Sequence, residues 1–319
     1  MTLRPALVLP LLLLAATAAR AQDCAPAKLL ATLPLHWAEP GSNIRTVPVS
    51  LNGQTRDMIL DTGGALTQLS RRVIDELKLP VLPSGDAVYD INGRVSRQYA
   101  TVKDFAFGDL HRDGAALMVW PEDKRPYAGE LAQDMLQPYD VDVDFAQGVL
   151  KMYAKGHCPG PSGWAARLRV PMHNTGWHLH IPVTLDGHLY DAIFDTGSRH
   201  TMMRLPAAQR DFHLDRDAGD MRPVAINGDD FLHGYLHGFD TLSVGDMQFD
   251  RPQVLIVPDV MNHNADRSPM AHNPTHFHNE DLILPELSLG MDVLKHLHLY
   301  LAFGEQALYV APAAGGQGN

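Results

Sequence analysis

The tripeptide Asp-Thr-Gly occurs twice in this chain and supplies the side chains best suited to chemistry. The two copies are Asp61-Thr62-Gly63 and Asp195-Thr196-Gly197. A single copy is often an ordinary loop aspartate, but two carboxylates placed face to face cannot both ionise without a large repulsion. They share one proton, so their pKa values separate. One group can then activate water while the other donates a proton to a carbonyl oxygen.

Both tripeptides belong to a longer internal repeat, which predicts that the two aspartates do meet. Further matched segments follow each other in the same order in both halves: Pro48–Gly53 with Pro182–Gly187, Ile91–Gly93 with Ile226–Gly228, Phe107–Leu110 with Val244–Met247, and Ala132–Leu136 with Gly290–Leu294. Repeated matches in one order indicate a duplicated chain. A two-fold arrangement of the halves would bring the equivalent aspartates together.

The elements that must position these aspartates are mostly short strands. Val47, Val49 and Leu51 alternate with polar residues, and Asn52-Gly53 then predicts a tight hairpin turn. Helical signals are few and brief: Ser70–Leu77, Asp134–Gln137, Leu205–Phe212 and Asp292–Leu297. Many short strands with few small helices predict an all-β protein in which a barrel-like domain is formed twice.

The chain also shows where its segments should begin and end. We expect a secretory signal at 1–21, an N-terminal segment at 22–44, a first domain at 45–155, a linker at 156–164, a second domain at 165–312 with an insertion at 259–289, and a disordered tail at 313–319. The signal has a basic start, a short apolar run and a small-x-small cleavage site. It predicts a periplasmic or secreted protein. Residues 22–44 are either a pro-segment or an N-terminal strand.

Composition excludes several classes of partner. The formal net charge is −11, which argues against nucleic acid or an anionic membrane surface as a general partner. After the signal, no apolar stretch is long enough to span a bilayer. With 45% hydrophobic residues the chain can form a sizeable core.

Cysteine and histidine limit the metal chemistry. In an exported protein, Cys24 and Cys158 predict one disulfide, the alternative being two unrelated buried thiols. The insertion at 259–289 carries four histidines: His263, His272, His276 and His278. A solvated surface loop is favoured over a metal site built on His276 and His278 or a pH sensor. We therefore assign no metal and no cofactor.

The repeated segments resemble the aspartic proteases of the retropepsin and pepsin type. The resemblance rests on Ile59–Gly64, Ile193–Ser198 and Leu289–Leu294, and extends over 45–155 and 165–312. It implies a pepsin-like pair of retropepsin-like β-barrel domains in one chain, with the active site between them. Asp61 and Asp195 would hold the attacking water.

The resemblance also implies supporting roles for neighbouring residues. Thr62 and Thr196 would lock the two loops by crossed hydrogen bonds, with Gly63, Gly197 and Ser198 as further loop support. Flaps over the substrate would carry three residues: Tyr89, Gly93 and Gly228. Simple packing is the alternative role for Tyr89.

Two positions in the first half depart from the family pattern. Gly64 stands where a serine, threonine or alanine is usual, so the hydroxyl support expected from Ser198 has no counterpart. Ala132 replaces a glycine that the second half keeps as Gly290.

These observations lead to one functional hypothesis and two alternatives. The first is an aspartic endopeptidase that hydrolyses peptide or protein substrates as a monomer with pseudo-two-fold domains. The second is a catalytically weak peptide-binding pseudoprotease that retains the cleft. In the third, the halves do not pair within one chain, and two chains assemble composite sites.

Overall fold

The computed structural model describes most of the chain after residue 23. The described residues are 24–89, 95–120, 126–174, 178–215, 219, 221–226, 229–258 and 285–313. The expected signal peptide, the flap residues Gly93 and Gly228, all four histidines of the insertion and nearly all of the C-terminal tail lie outside these residues. Tyr89 is described only as the last backbone position of a strand.

Strands dominate the described chain, as the alternating pattern predicts. In the first half they are β1 Leu29–Pro34, β2 His36–Trp37, β3 Arg45–Leu51, β4 Gln54–Leu60, β5 Gln68–Leu69, β6 Val81–Tyr89, β7 Val95–Phe107, β8 Leu110–Val119, β9 Gly129–Leu131, β10 Asp140–Asp144 and β11 Val149–Tyr153. In the second half they are β12 Leu168–Pro171, β13 His173–Asn174, β14 Leu179–Leu185, β15 His188–Phe194, β16 Met202–Arg204, β17 Arg222–Ile226, β18 Asp229–Gly238, β19 Thr241–Val244, β20 Met247–Asp250, β21 Gln253–Val257, β22 Leu287–Leu289, β23 Leu297–Ala302 and β24 Ala307–Pro312.

Short helices lie where the sequence predicts them, within one to three residues at each end. They are α1 Arg71–Glu76, α2 Gln133–Leu136, α3 Leu205–Phe212 and α4 Met291–Leu294. Ser70 caps α1 because its hydroxyl accepts a hydrogen bond from the Val73 N–H at 3.3 Å. No helix among the described residues is long and apolar enough to cross a membrane.

The first half closes into a barrel. Its sheet runs in the order β2-β3-β4-β9-β5-β8-β7-β6, and an additional pairing of β3 with β7 closes the ring. Asn52 and Gly53 both adopt positive φ, 51° and 80°, as a two-residue hairpin turn requires. The fold class predicted from the sequence is confirmed here.

The second half repeats these elements. Its sheet runs in the order β17-β18-β21-β16-β22-β15-β14-β19-β20, with β13 paired to β14. The turn between β14 and β15 uses Asp186 and Gly187 at φ 42° and 84°, which matches the first-half turn. Residues 287–289, at the end of the expected insertion, form β22, the equivalent of β9.

A parallel strand pair supports each Asp-Thr-Gly loop. β4 pairs in parallel with β9, and β15 pairs in parallel with β22. At the end of β4 the Asp61 N–H donates to Leu131 O at 3.0 Å, and at the end of β15 the Asp195 N–H donates to Leu289 O at 3.0 Å. The apolar run before each aspartate is thus a buried strand that delivers the carboxyl to its end.

A third sheet joins the halves, and the repeat does not predict it. It has six strands in the order β1-β11-β10-β23-β24-β12, three from each half, and β10 pairs antiparallel with β23 at the junction. Its edge strand β1 comes from the 22–44 segment. The predicted disulfide between Cys24 and Cys158 is present, and it ties that segment to the linker.

Candidate active site

Each aspartate is held by the backbone of its own loop. Two consecutive N–H groups donate to one carboxyl oxygen in each half: those of Gly63 and Gly64 to Asp61 Oδ1, both at 2.9 Å, and those of Gly197 and Ser198 to Asp195 Oδ1, at 2.9 and 3.1 Å. Hydrogen bonds from backbone N–H groups orient a carboxylate and favour its ionised form. In both loops these bonds are made to the same carboxyl oxygen, Oδ1.

The two loops are locked to each other by their threonines. The Thr62 hydroxyl donates to Phe194 O at 2.7 Å and accepts from the Thr196 N–H at 3.0 Å. The Thr196 hydroxyl donates to Leu60 O at 2.7 Å and accepts from the Thr62 N–H at 3.0 Å. Both threonines are buried, so these four reciprocal bonds fix the separation of the aspartates.

The glycines of the motif allow the carboxyl groups to approach. A Cβ atom built on Gly197 would lie 2.5 Å from the Cγ of Asp61, and one built on Gly63 would overlap the Cγ of Asp195. Each carboxyl therefore packs on the backbone of the opposite loop. Any side chain at either glycine would displace it.

The electrostatics match a shared-proton pair. Burial raises the pKa of Asp195 well above its usual range, and both the charge of Asp61 and a hydrogen bond with the Asp61 side chain raise it further. The N–H donors of Gly197 and Ser198 oppose the shift but do not cancel it. The two carboxyls therefore lie within hydrogen-bond reach inside a single chain, an arrangement in which two carboxyls would share one proton.

The family of the chain follows from comparison with known proteins. A family model described as "Aspartyl protease" matches residues 47–136 and 181–293, which together cover more than half of the chain. The chain belongs to the aspartyl protease family. The two matched regions correspond to its two halves, so tandem retropepsin-like domains are confirmed. No curated protein is similar enough to the chain to match it.

This aspartyl protease has a second pair of symmetric contacts that sequence reasoning missed. The Thr67 hydroxyl donates to Asp134 Oδ1 at 2.6 Å, and the Thr201 hydroxyl donates to Asp292 Oδ1 at 2.8 Å. Each threonine oxygen also accepts a backbone N–H, from Ala132 at 3.0 Å and from Gly290 at 3.1 Å. The internal repeat could have predicted these contacts, because both aspartates and both threonines recur at equivalent positions.

The loop of Asp61 receives extra contacts that the loop of Asp195 does not share. Gln133 Nε2 donates to Thr62 O at 2.7 Å, and Asn174 Nδ2 donates to Gln133 Oε1 at 3.1 Å. His178 Nδ1 lies 2.9 Å from Gly63 O, and burial lowers the pKa of this histidine. Met291 stands at the equivalent of Gln133, so these contacts break the two-fold symmetry.

The expected hydroxyl support from Ser198 is wrong. Its hydroxyl donates to His200 O at 2.8 Å, and only its backbone N–H binds Asp195, as the Gly64 N–H binds Asp61. The backbone N–H bonds to the two carboxyls are therefore alike in the two halves. A Cβ at Gly64 would lie 2.7 Å from Asp61 Oδ2, so a side chain there would press on the carboxyl.

The Ala132 departure has a local explanation. A Cβ at the equivalent Gly290 would overlap the backbone of His200, whereas the buried Ala132 places its Cβ toward Gly64. A Cβ built on Gly64 would lie 3.2 Å from the Ala132 Cβ, so the alanine fits against a glycine at position 64 and would crowd a larger residue there. Neither departure removes a backbone N–H bond to Asp61 or Asp195.

The flap residues remain predictions. Strands β6 and β7 pair up to Tyr89 and Val95, and β17 pairs with β18, so a hairpin is present in each half at the expected place. Among the described residues, one group could hold a metal ion: His173, His180 and Asp191. It lies on strands β13 to β15 and does not include either aspartate of the dyad.

Proposed function

We propose that this protein is an aspartic endopeptidase in which Asp61 and Asp195 activate a water molecule between them. The observation that carries the proposal is the pairing of the two carboxyls, which share a hydrogen bond within one chain. The crossed threonine bonds support it, because they hold the two loops together through backbone carbonyls and do not involve the carboxyl groups.

The proposed reaction assigns different roles to the two carboxyls. Asp195 holds the shared proton, since its pKa is raised, and Asp61 is the ionised partner. Asp61 removes a proton from water as the water oxygen attacks the peptide carbonyl carbon, and Asp195 gives its proton to the carbonyl oxygen. The neutral tetrahedral diol then breaks its C–N bond. The proton on Asp61 passes to the leaving nitrogen, and a hydroxyl proton returns to Asp195.

Cleavage of a peptide library between pH 3 and 8 by the wild type and three variants tests this mechanism. Asp61→Asn and Asp195→Asn should each lower kcat/KM by at least about 10³-fold, because a single carboxyl cannot both activate water and donate a proton. The double variant should be no worse than either single variant, since the two groups act as a unit. Wild-type activity should be bell-shaped in pH with its maximum on the acidic side.

A matched control separates loss of chemistry from loss of fold. Asp109→Asn changes an exposed aspartate on the turn between β7 and β8 and should leave cleavage unchanged. Substantial cleavage by Asp195→Asn would refute the proposal. Absence of wild-type cleavage together with retained peptide binding would instead support a pseudoprotease.

A further inference from the structure

Three strands of the second half bring two histidines and an aspartate together on one side of their sheet. His173 on β13 pairs directly with His180 on β14, and their rings stack with centroids 5.2 Å apart. Asp191 on β15 pairs with Pro182 and so lies diagonally across from His180. Cross-strand and diagonal neighbours are within reach of each other. The sheet thus fixes all three side chains from regular backbone.

The three ligand atoms all lie within 4.8 Å of one another, close enough to share one metal ion. Asp191 Oδ2 lies 3.2 Å from His173 Nε2 and also 3.2 Å from His180 Nδ1. Zn²⁺ binds histidine nitrogen and carboxylate oxygen at about 2.0–2.2 Å, which places neighbouring tetrahedral ligands about 3.3–3.5 Å apart. Charge-assisted hydrogen bonds are shorter, at about 2.7–2.9 Å. One oxygen equidistant from two nitrogens fits shared coordination better than two hydrogen bonds.

His180 provides the second observation. Only 9% of this residue is exposed, and its Nδ1 has no hydrogen-bond partner among the described residues. Asp191 is close to that nitrogen but does not meet it in hydrogen-bonding geometry. A buried polar atom left without a partner costs about 1–3 kcal/mol and calls for an explanation. A metal ion between the nitrogen and the carboxylate would provide one.

We propose that this cluster binds one Zn²⁺ ion through His173 Nε2, His180 Nδ1 and Asp191 Oδ2, with the fourth position open to water. Two imidazoles and one carboxylate suit a borderline divalent ion rather than Ca²⁺ or Mg²⁺, which prefer all-oxygen sites. The side chains of His173 and Asp191 are 54% and 57% exposed, so the ion can enter from solvent.

Bound Zn²⁺ would join β15, which leads into the second active-site loop, to its neighbours β13 and β14. β15 runs from His188 to Phe194 and leads directly into Asp195. β14 begins at Leu179, next to His178, whose ring contacts Gly63 in the opposite loop. The ion would therefore stabilise the second half at a position that does not include Asp61 or Asp195.

Calorimetric titration of the EDTA-treated full-length protein with Zn²⁺ tests the site, and Co²⁺ serves as a spectroscopic probe of tetrahedral geometry. Asp191→Asn and His173→Gln should each weaken Zn²⁺ binding at this site by at least about tenfold. His173 is half exposed, so its variant should fold even where a change at the buried His180 would not. Zn²⁺ should raise Tm in the wild type and not in Asp191→Asn.

Two control variants separate this site from other histidines. His111→Gln removes a comparably exposed histidine that lies 3.4 Å from Asp104 without a third ligand, and it should bind Zn²⁺ like the wild type. His276→Ala/His278→Ala should also retain the cluster site. Unchanged binding by folded Asp191→Asn, or loss of binding only in the His276/His278 variant, would overturn the proposal. Because calorimetry reads binding directly, the result does not depend on peptide cleavage.

Discussion

Burial and the charge of Asp61 both favour the protonated form of Asp195, so the folded chain holds a proton that the unfolded chain releases more readily. A carboxyl whose pKa is raised on folding contributes stability below its unfolded pKa. That contribution is lost as pH rises through the folded pKa, because the native state binds more protons than the unfolded state in that interval. The pairing of Asp195 with Asp61 therefore lowers the free energy of unfolding at neutral pH.

Asp195→Asn should remove this cost, because an amide cannot ionise beside Asp61. We expect its Tm to exceed that of the wild type at pH 7, on the order of 2–4 °C, with the difference shrinking toward pH 4. Scanning calorimetry across this range provides the measurement, with the exposed Asp109→Asn as the control. A Tm difference that is independent of pH would contradict the shared-proton description of the dyad.

At the level of elements, the features predicted correctly from sequence are those determined by nearby residues. The Asn52-Gly53 turn, the short helix after Ser70 and the strands that end in Asp-Thr-Gly each depend on local backbone preference or on alternation within a few positions. The internal repeat also predicted that Asp61 and Asp195 lie close together, because a two-fold arrangement of the halves brings equivalent residues to the same axis.

Features that depend on residues distant in the chain could not be predicted from the sequence. The six-stranded sheet pairs β10 with β23, and neither strand carries a signal for the other. The Ser198 hydroxyl donates to the His200 carbonyl, and only the folded loop determines that partner. The role of Asp134 and Asp292 needed the same information, although their recurrence was visible.

The paired threonine–aspartate contacts under each active-site loop predict a matched stability effect. Asp292 Oδ1 accepts from the Thr201 hydroxyl at 2.8 Å and from the Val293 N–H at 2.9 Å, and Oδ2 accepts from the Thr201 N–H at 2.9 Å. The Val293 N–H also donates to Gly290 O at 3.1 Å, but Asp292→Ala removes the acceptor of the buried Thr201 hydroxyl and N–H, and should lower the free energy of unfolding by about 1–3 kcal/mol. Asp134→Ala should cost a similar amount in the first half.

Urea denaturation measures both effects. The control is Asp246→Ala, which changes an aspartate that is 70% exposed and 4.0 Å from Arg167, and should change stability by less than about 0.5 kcal/mol. A cost for Asp292→Ala no larger than for the control would show that the contact does not support the loop.

On the scale of the whole molecule, the shared sheet makes the two halves one body. Asp142, at the centre of β10, contacts both the linker and the second half: Trp164 Nε1 donates to its Oδ2 at 3.1 Å, and His298 Nε2 lies 2.7 Å from its Oδ1. The rings of Trp164 and His298 stack with centroids 4.0 Å apart. Asp142 is 2% exposed, so these contacts are sheltered from water.

The dyad needs both halves, and the sheet with Asp142 joins them in addition to the contacts around the two active-site loops. Asp142→Ala would remove the acceptor of the half-buried Trp164 indole N–H and the partner of the His298 imidazole, at a cost of about 2–4 kcal/mol. The lost contacts lie where the two halves meet. Calorimetry should therefore show that the single unfolding transition of the wild type separates into two transitions in the variant. Asp104→Ala, which changes a half-exposed aspartate beside His111, should leave one transition at nearly the same Tm. If Asp142→Ala lowers Tm but keeps a single sharp transition, the threonine-locked loops alone are sufficient to make the halves unfold together.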